Sequence, residues 1–144
     1  MLVESTYNND KWQEWVNDAS EKLKDPANRT TVFNPLNGDV LIKLPSLHEY
    51  KGKFCNYAIW ENDELKYIGK SKDVGARLKD HCFKMPKKGH HNVHSHIVQC
   101  LKKKKKISVS LIAVPEQIYS SIEESLIEQN NLYDSGIGWN KRRS

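Results

Sequence analysis

Three cysteines in 144 residues, Cys55, Cys82 and Cys100, are too few for a disulfide framework: the count is odd and no Cys-x-x-Cys pair occurs. A reducing, intracellular and cytoplasmic setting is therefore expected. No apolar run approaches the roughly 18 residues of a membrane span, and Met1-Leu2-Val3-Glu4 is not the start of a secretory signal. There is no internal repeat, no glycine-rich phosphate loop and no Ser/His/Asp arrangement, so nothing points to nucleotide-cradling or serine-hydrolase chemistry. The only low-complexity stretch is the lysine run Lys102 to Lys106. What the chain does have is charge. A net charge of +5 with 28% charged residues suits an anionic partner and argues against a membrane protein. The length fits a single domain with a real core.

Residues 1–52 read as an added element. Trp12, Trp15, Val16, Ala19 and Leu23 recur at three and four residues, which predicts an amphipathic helix closing near Asp25-Pro26. Thr31-Val32-Phe33 and Val40-Leu41-Ile42-Lys43-Leu44 flank a turn-rich stretch and predict a hairpin. This extension can lengthen the core sheet, cover a helix, dimerise or clamp a nucleic acid.

Residues 53–144 read as the core. Phe54 to Trp60 is a β-prone run, Glu61-Asn62-Asp63-Glu64 is turn-like, and Leu65 to Gly69 is a second strand, giving a hairpin with a four-residue loop. Ser71 or Asp73 can then cap a helix running to about Phe83, with Arg77 and His81 on one face. Between Lys84 and Lys106 the chain is basic. His90, His91, His94 and His96, near Cys82 and Cys100, invite a zinc reading, but Val93, Ile97, Val98 and Leu101 at helical spacing make a plain helix from His94 to Lys103 the better one. Lys102, Lys103, Lys104 and Lys105 either grip a phosphate backbone or form a solvated face. Ile107 to Val114 is the third strand. Pro115-Glu116 starts a helix with Ile118, Ile122, Leu126 and Ile127 on one side, Glu124 and Glu128 one turn apart, and a stop at Asp134-Ser135-Gly136.

Tyr67-Ile68-Gly69 stands ten residues after Tyr57 and ten before Arg77, and Asn140 follows Glu128 by twelve. Taken singly, each is an ordinary strand aromatic or solvated helix residue. As an ordered set, the stretch from about Lys53 to Asn140 resembles the GIY-YIG nuclease superfamily. Tyr57 matches the last position of the first triplet, Tyr67-Ile68-Gly69 matches the second in full, and Lys70-Ser71 continues it as is common in the family. Arg77 stands at the family's arginine, and His81 matches a histidine of some members. Glu128 and Asn140 look like the family's glutamate and asparagine. The first triplet departs from the pattern, reading Cys55-Asn56-Tyr57.

The resemblance implies an α/β fold with a small central three-stranded sheet flanked by helices, here with an N-terminal helix and hairpin extension. It also implies a DNA endonuclease of restriction or phage type, leaving 5′-phosphate and 3′-hydroxyl ends. The residue types fit that chemistry. Arg77 offers a planar fork to phosphate oxygens. Glu128 can hold Mg²⁺, with Mn²⁺ as a substitute, alongside water and substrate oxygens. Tyr57 can take a proton from water only if its pKa is lowered or a partner helps, and His81, Lys70 and Arg77 are the candidates. Tyr67 and Asn140 complete the catalytic set, and Lys70 and Ser71 join the lysine run as DNA contacts. Cutting both strands requires a second visit or a second subunit, so a homodimer through the Trp12 to Leu23 helix is expected. The alternative is a basic nucleic-acid-binding domain that kept the fold without catalysis.

Overall fold

A computed structural model describes residues 2–34, 39–40, 50, 52–74, 77 and 93–142. Helix α1, Leu2–Lys24, stops where the sequence places its end. Asp25, held extended at ψ 119° ahead of Pro26, leaves the helix, and its side chain accepts the N–H of Ala27 to open a short 3-10 turn at Pro26–Asn28. Strands β1 (Thr30–Asn34) and β2 (Asp39–Val40) form the hairpin of the extension. Residues 41–44, assigned to its second strand from sequence, lie outside the described residues. Next come β3 (Cys55–Glu61), β4 (Glu64–Ser71), α2 (Val93–Lys102), β5 (Ile107–Ala113) and α3 (Tyr119–Gln129).

The strands make one antiparallel sheet in the order β2-β1-β5-β3-β4. Three adjoining strands, β5-β3-β4, are the expected core, and the N-terminal hairpin lengthens the sheet through β1. The β3–β4 loop is shorter than the expected four residues. Glu61 pairs with Glu64, leaving Asn62 and Asp63 to turn the chain. Asn62 adopts a left-handed φ of 53°, which asparagine tolerates, and exchanges hydrogen bonds with the backbone of Lys106.

Every residue of β3 from Cys55 to Trp60 is buried, because helices cover both sheet faces. On one face Tyr57, Ile59, Ile107, Val109 and Leu111 pack with Val93, Ile97 and Cys100 of α2. On the other, Ala58, Trp60, Ile68 and Ile112 pack with Val16, Ala19 and Leu23 of α1 and with Ile122, Leu126 and Ile127 of α3. The apolar stripe of α1 is thus spent inside the chain, with Trp15 left 44% exposed.

Helix α3 ends earlier than Asp134-Ser135-Gly136. Asn131, at φ 57°, reverses the chain, and the N–H groups of Asn131 and Leu132 return to the carbonyls of Glu128 and Ile127. Asparagine takes the left-handed position that glycine usually fills, and the apolar pair Ile127 and Leu132 closes the motif in the core.

The end of α1 is stitched to the sheet through Ser110, fully buried on β5. Its hydroxyl accepts from Trp60 Nε1 at 3.0 Å and donates to the Leu23 carbonyl at 2.7 Å. Arg29 lies 3.6 Å over the Trp60 ring and donates to the Lys24 carbonyl. Ser110→Ala orphans an indole N–H and a helix-end carbonyl at once, so urea unfolding should show a loss of about 1–3 kcal/mol. An unchanged midpoint would show that this bridge does not hold α1 in place.

Candidate active site

The β3–β4 register puts Tyr57 opposite Gly69 and Ile59 opposite Tyr67, so both phenols rise from the same sheet face. Their ring centroids are 6.0 Å apart. The Tyr57 ring crosses directly over Gly69. A Cβ built there would lie 2.7 Å from Tyr57 Cε1 and closer still to Cζ and the hydroxyl. The glycine of Tyr-Ile-Gly is therefore required by close approach of a ring, not by a turn.

Arg77 completes the cluster. The Asp73 carbonyl accepts the Arg77 N–H at 3.1 Å, one helical turn on from β4. Its guanidinium is hydrogen-bonded to both phenols, which are hydrogen-bonded to each other. Burial pushes the Tyr57 phenol well above its ordinary range and the Tyr67 phenol up as well, outweighing the nearby guanidinium. Tyr57 is thus a neutral phenol in the free protein, and the lowered pKa that a resting base needs is not supplied by Arg77. His81 lies outside the described residues.

The carboxylates of α3 separate by face. Glu123, half-buried, is close enough for its charge to raise Tyr67, and it also acts on Tyr133. Glu124 accepts the Tyr133 hydroxyl at 2.6 Å. Glu128, exposed, stands 4.0 Å from the Arg142 guanidinium at the lip of a depression of about 450 Å³ shared with Asn131, Tyr133 and Asp134. Five residues along a helix turn the side chain by roughly 140°, so Glu123 and Glu128 cannot share a face. Sequence reading passed over Glu123, although it sits one turn before buried Leu126 and Ile127, the place for a half-buried carboxylate.

Asn140 is buried and serves the backbone of β4. Its side chain accepts from the Ile68 N–H at 3.1 Å and donates to the Ile68 carbonyl at 2.9 Å, while Trp139 N–H donates to the Lys66 carbonyl at 2.6 Å. The middle residue of Tyr-Ile-Gly is thereby held from its open edge. Lys70 donates to Ser120 Oγ at 2.6 Å, and Ser71 Oγ accepts the Asp73 N–H at 2.9 Å. Within the lysine run, Lys105 pairs with Glu61 at 2.6 Å, whereas Lys102, Lys103 and Lys104 are exposed. Helix α2 absorbs the histidine-rich segment as far as it is described: His96 stacks on Trp139 at 5.0 Å, and Cys100 Sγ donates to Glu61 at 3.0 Å. Among the described residues no three His, Cys, Asp or Glu converge, and no helix is long and apolar enough to cross a membrane.

No curated protein matches the chain in sequence. A solved structure, that of a mutant of bacteriophage T4 EndoII, is similar over 55% of this chain and 71% of its own, at 22% identity and a TM-score of 0.46. The model of the GIY-YIG catalytic domain matches residues 53–134, more than half of the chain and the span that holds Tyr57, Tyr67, Arg77 and Glu123, and the chain belongs to that family.

Proposed function

We propose that the protein is a Mg²⁺-dependent DNA endonuclease of restriction or phage type, hydrolysing phosphodiesters to 5′-phosphate and 3′-hydroxyl ends. The observation that carries this reading is the cluster of two phenols and a guanidinium on one sheet face, with the charge of Glu123 reaching Tyr67. A binding module has no use for two buried hydroxyls joined to an arginine. A hydrolase needs positive charge at the phosphate oxygens and a polar group to hold water in line.

In this reading Arg77, oriented by its bonds to the phenols, turns its remaining N–H groups to the scissile phosphate. Tyr57, protonated at rest, positions the attacking water; in the small fraction ionised to phenolate it takes the water's proton as the transition state forms and returns to the neutral phenol, with Tyr67 and Arg77 hydrogen-bonded to it. Of the two carboxylates on α3, Glu123, whose charge reaches Tyr67, is the first choice to hold the metal, and Glu128, twelve residues before Asn140, is the second. One carboxylate with waters and substrate oxygens is the usual donor set for Mg²⁺, and Mn²⁺ fits the same oxygens. Such an ion, when bound, supplies positive charge at the departing 3′ oxygen. Asn140 positions β4, and Lys102, Lys103 and Lys104 reach the DNA backbone.

Plasmid DNA incubated with the protein should be cut with Mg²⁺ and spared with EDTA. Glu123→Gln should abolish cutting with DNA binding kept, while Glu128→Gln should cut normally. The reverse pattern would return the metal to Glu128, and binding without cutting under every condition would establish a non-catalytic domain.

Arg77→Lys keeps the charge and loses the fork, so turnover should fall about 10²–10³-fold. Tyr57→Phe removes one oxygen from a buried ring and should lose about 10²–10⁴-fold at unchanged DNA affinity. Wild-type turnover should climb between pH 6 and 9, because only the phenolate can take the water's proton and, with the phenol raised above its ordinary range, its small fraction is still growing with pH across that whole window. Normal turnover in Tyr57→Phe would remove the phenol from the mechanism, and His81→Ala moving the profile instead would pass the role to the imidazole.

One cluster serves one strand, and a homodimer is the simplest way to cut two. With Val16, Ala19 and Leu23 committed to the core, α1 offers a partner Trp15 and its neighbour Trp12. Light scattering on the DNA complex should report two chains; one chain, with nicked circles as the product, would make the protein a single-strand cutter.

A further inference from the structure

Asn56 stands where the family's first triplet has an apolar residue, and it is fully buried on the central strand. Its Nδ2 donates to the Tyr119 carbonyl at 3.1 Å and leans toward the Gly69 carbonyl at 3.4 Å. Two carbonyl partners fix which end of the amide is NH₂. The other end, Oδ1, is buried and has no partner. A leucine, with the same branched skeleton and somewhat bulkier methyl groups, would leave no acceptor stranded, so packing alone does not account for an amide here.

The partner of Nδ2 is informative. Tyr119 is the first residue of α3, and in an α-helix the carbonyl of residue 119 accepts the N–H of residue 123. Asn56 therefore binds the same carbonyl that accepts the Glu123 N–H in the first turn of the helix. Its cross-strand neighbour reinforces this: Lys70, paired with Asn56 in the register, donates to Ser120 Oγ at 2.6 Å and lies 5.2 Å from the Tyr119 ring centre. Phe54 packs against the same ring edge-on at 4.8 Å.

We infer that Asn56 is a positioning residue: its amide ties the first turn of α3, and with it Glu123, to the strand pair bearing Tyr57 and Tyr67. The inference rests on the nuclease reading for its purpose, but the tether itself can be measured without catalysis.

The full chain is compared as wild type and Asn56→Leu, with Asn56→Ala as the second variant should leucine not be accommodated. Hydrogen exchange reads the tether: amides 122–124 should exchange about tenfold faster in the variant, the worth of one net hydrogen bond, while those of β5 do not change. Mg²⁺ titration of plasmid cleavage reads the purpose: half-maximal rate should need about tenfold more Mg²⁺, with DNA affinity in EDTA and the urea midpoint no lower than wild type. Unchanged exchange at 122–124 overturns the tether. Faster exchange with wild-type Mg²⁺ dependence, or a loss of rate matched by a loss of stability, overturns the positioning role. If wild type itself cuts no DNA, the nuclease reading fails first, and the exchange result still decides whether Asn56 holds α3.

Discussion

Tyr57 lies on the central strand with its ring across the backbone of Gly69, and no side chain larger than hydrogen fits beneath it. That passage sets the depth of the phenol below the surface and its angle to Tyr67, and through both hydroxyls it sets the fork of Arg77. The register of β3 against β4 is what brings ring and glycine together. A slip by one residue would send Tyr57 to the opposite face, among Val16, Leu23 and Ile122, and away from Tyr67 and Arg77. Much of the rest of the molecule serves to keep that register.

Several contacts have this effect. Among the described residues the edge strand β4 has no strand neighbour beyond it, and a free edge can fray or recruit another chain. Here the C-terminal segment covers it: Trp139 pairs with Lys66 and the Asn140 amide satisfies both backbone groups of Ile68. The segment is held in turn by the His96 ring stacked on Trp139, with burial keeping that imidazole below its ordinary pKa and so neutral at neutral pH. At the other end of the hairpin, Asn62 is clamped to Lys106 and Arg29 reaches Asp63 at 3.4 Å. The N-terminal extension thereby holds the hairpin from outside the matched catalytic domain.

What the sequence revealed divides along one line. Elements whose signal is local came through. Pro26 ends α1, the alternating Ile107–Leu111 run is β5, and Val93, Ile97 and Cys100 make the buried face of α2. The errors arose where a tertiary partner decides. Glu61 and Glu64 look like loop residues until the ladder extends to them, and Asp134-Ser135-Gly136 looks like a helix stop until Asn131 takes the left-handed position first. Glu123 was passed over for a related reason: spacing favours Glu128, twelve residues before Asn140, whereas helical periodicity points to the border of the buried side that Ile122, Leu126 and Ile127 define, where Glu123 stands.

The departure at Cys55-Asn56 shows how a substitution in a motif can be physical information. An apolar residue at position 56 would interact with the core by contact alone, and contact is indifferent to small rotations of the helix above it. An amide donating to the Tyr119 carbonyl is directional, so it resists a roll or slide of α3 along the sheet. Removing Tyr57, Asn56 and Gly69 from water places that bond in a low-dielectric setting, where it is stronger and where its unmatched Oδ1 is also more costly. Such a cost is tolerable in a strand already buried on both faces. It secures the relation between the helix that bears Glu123 and the strands that bear the phenols, a relation that no backbone ladder enforces.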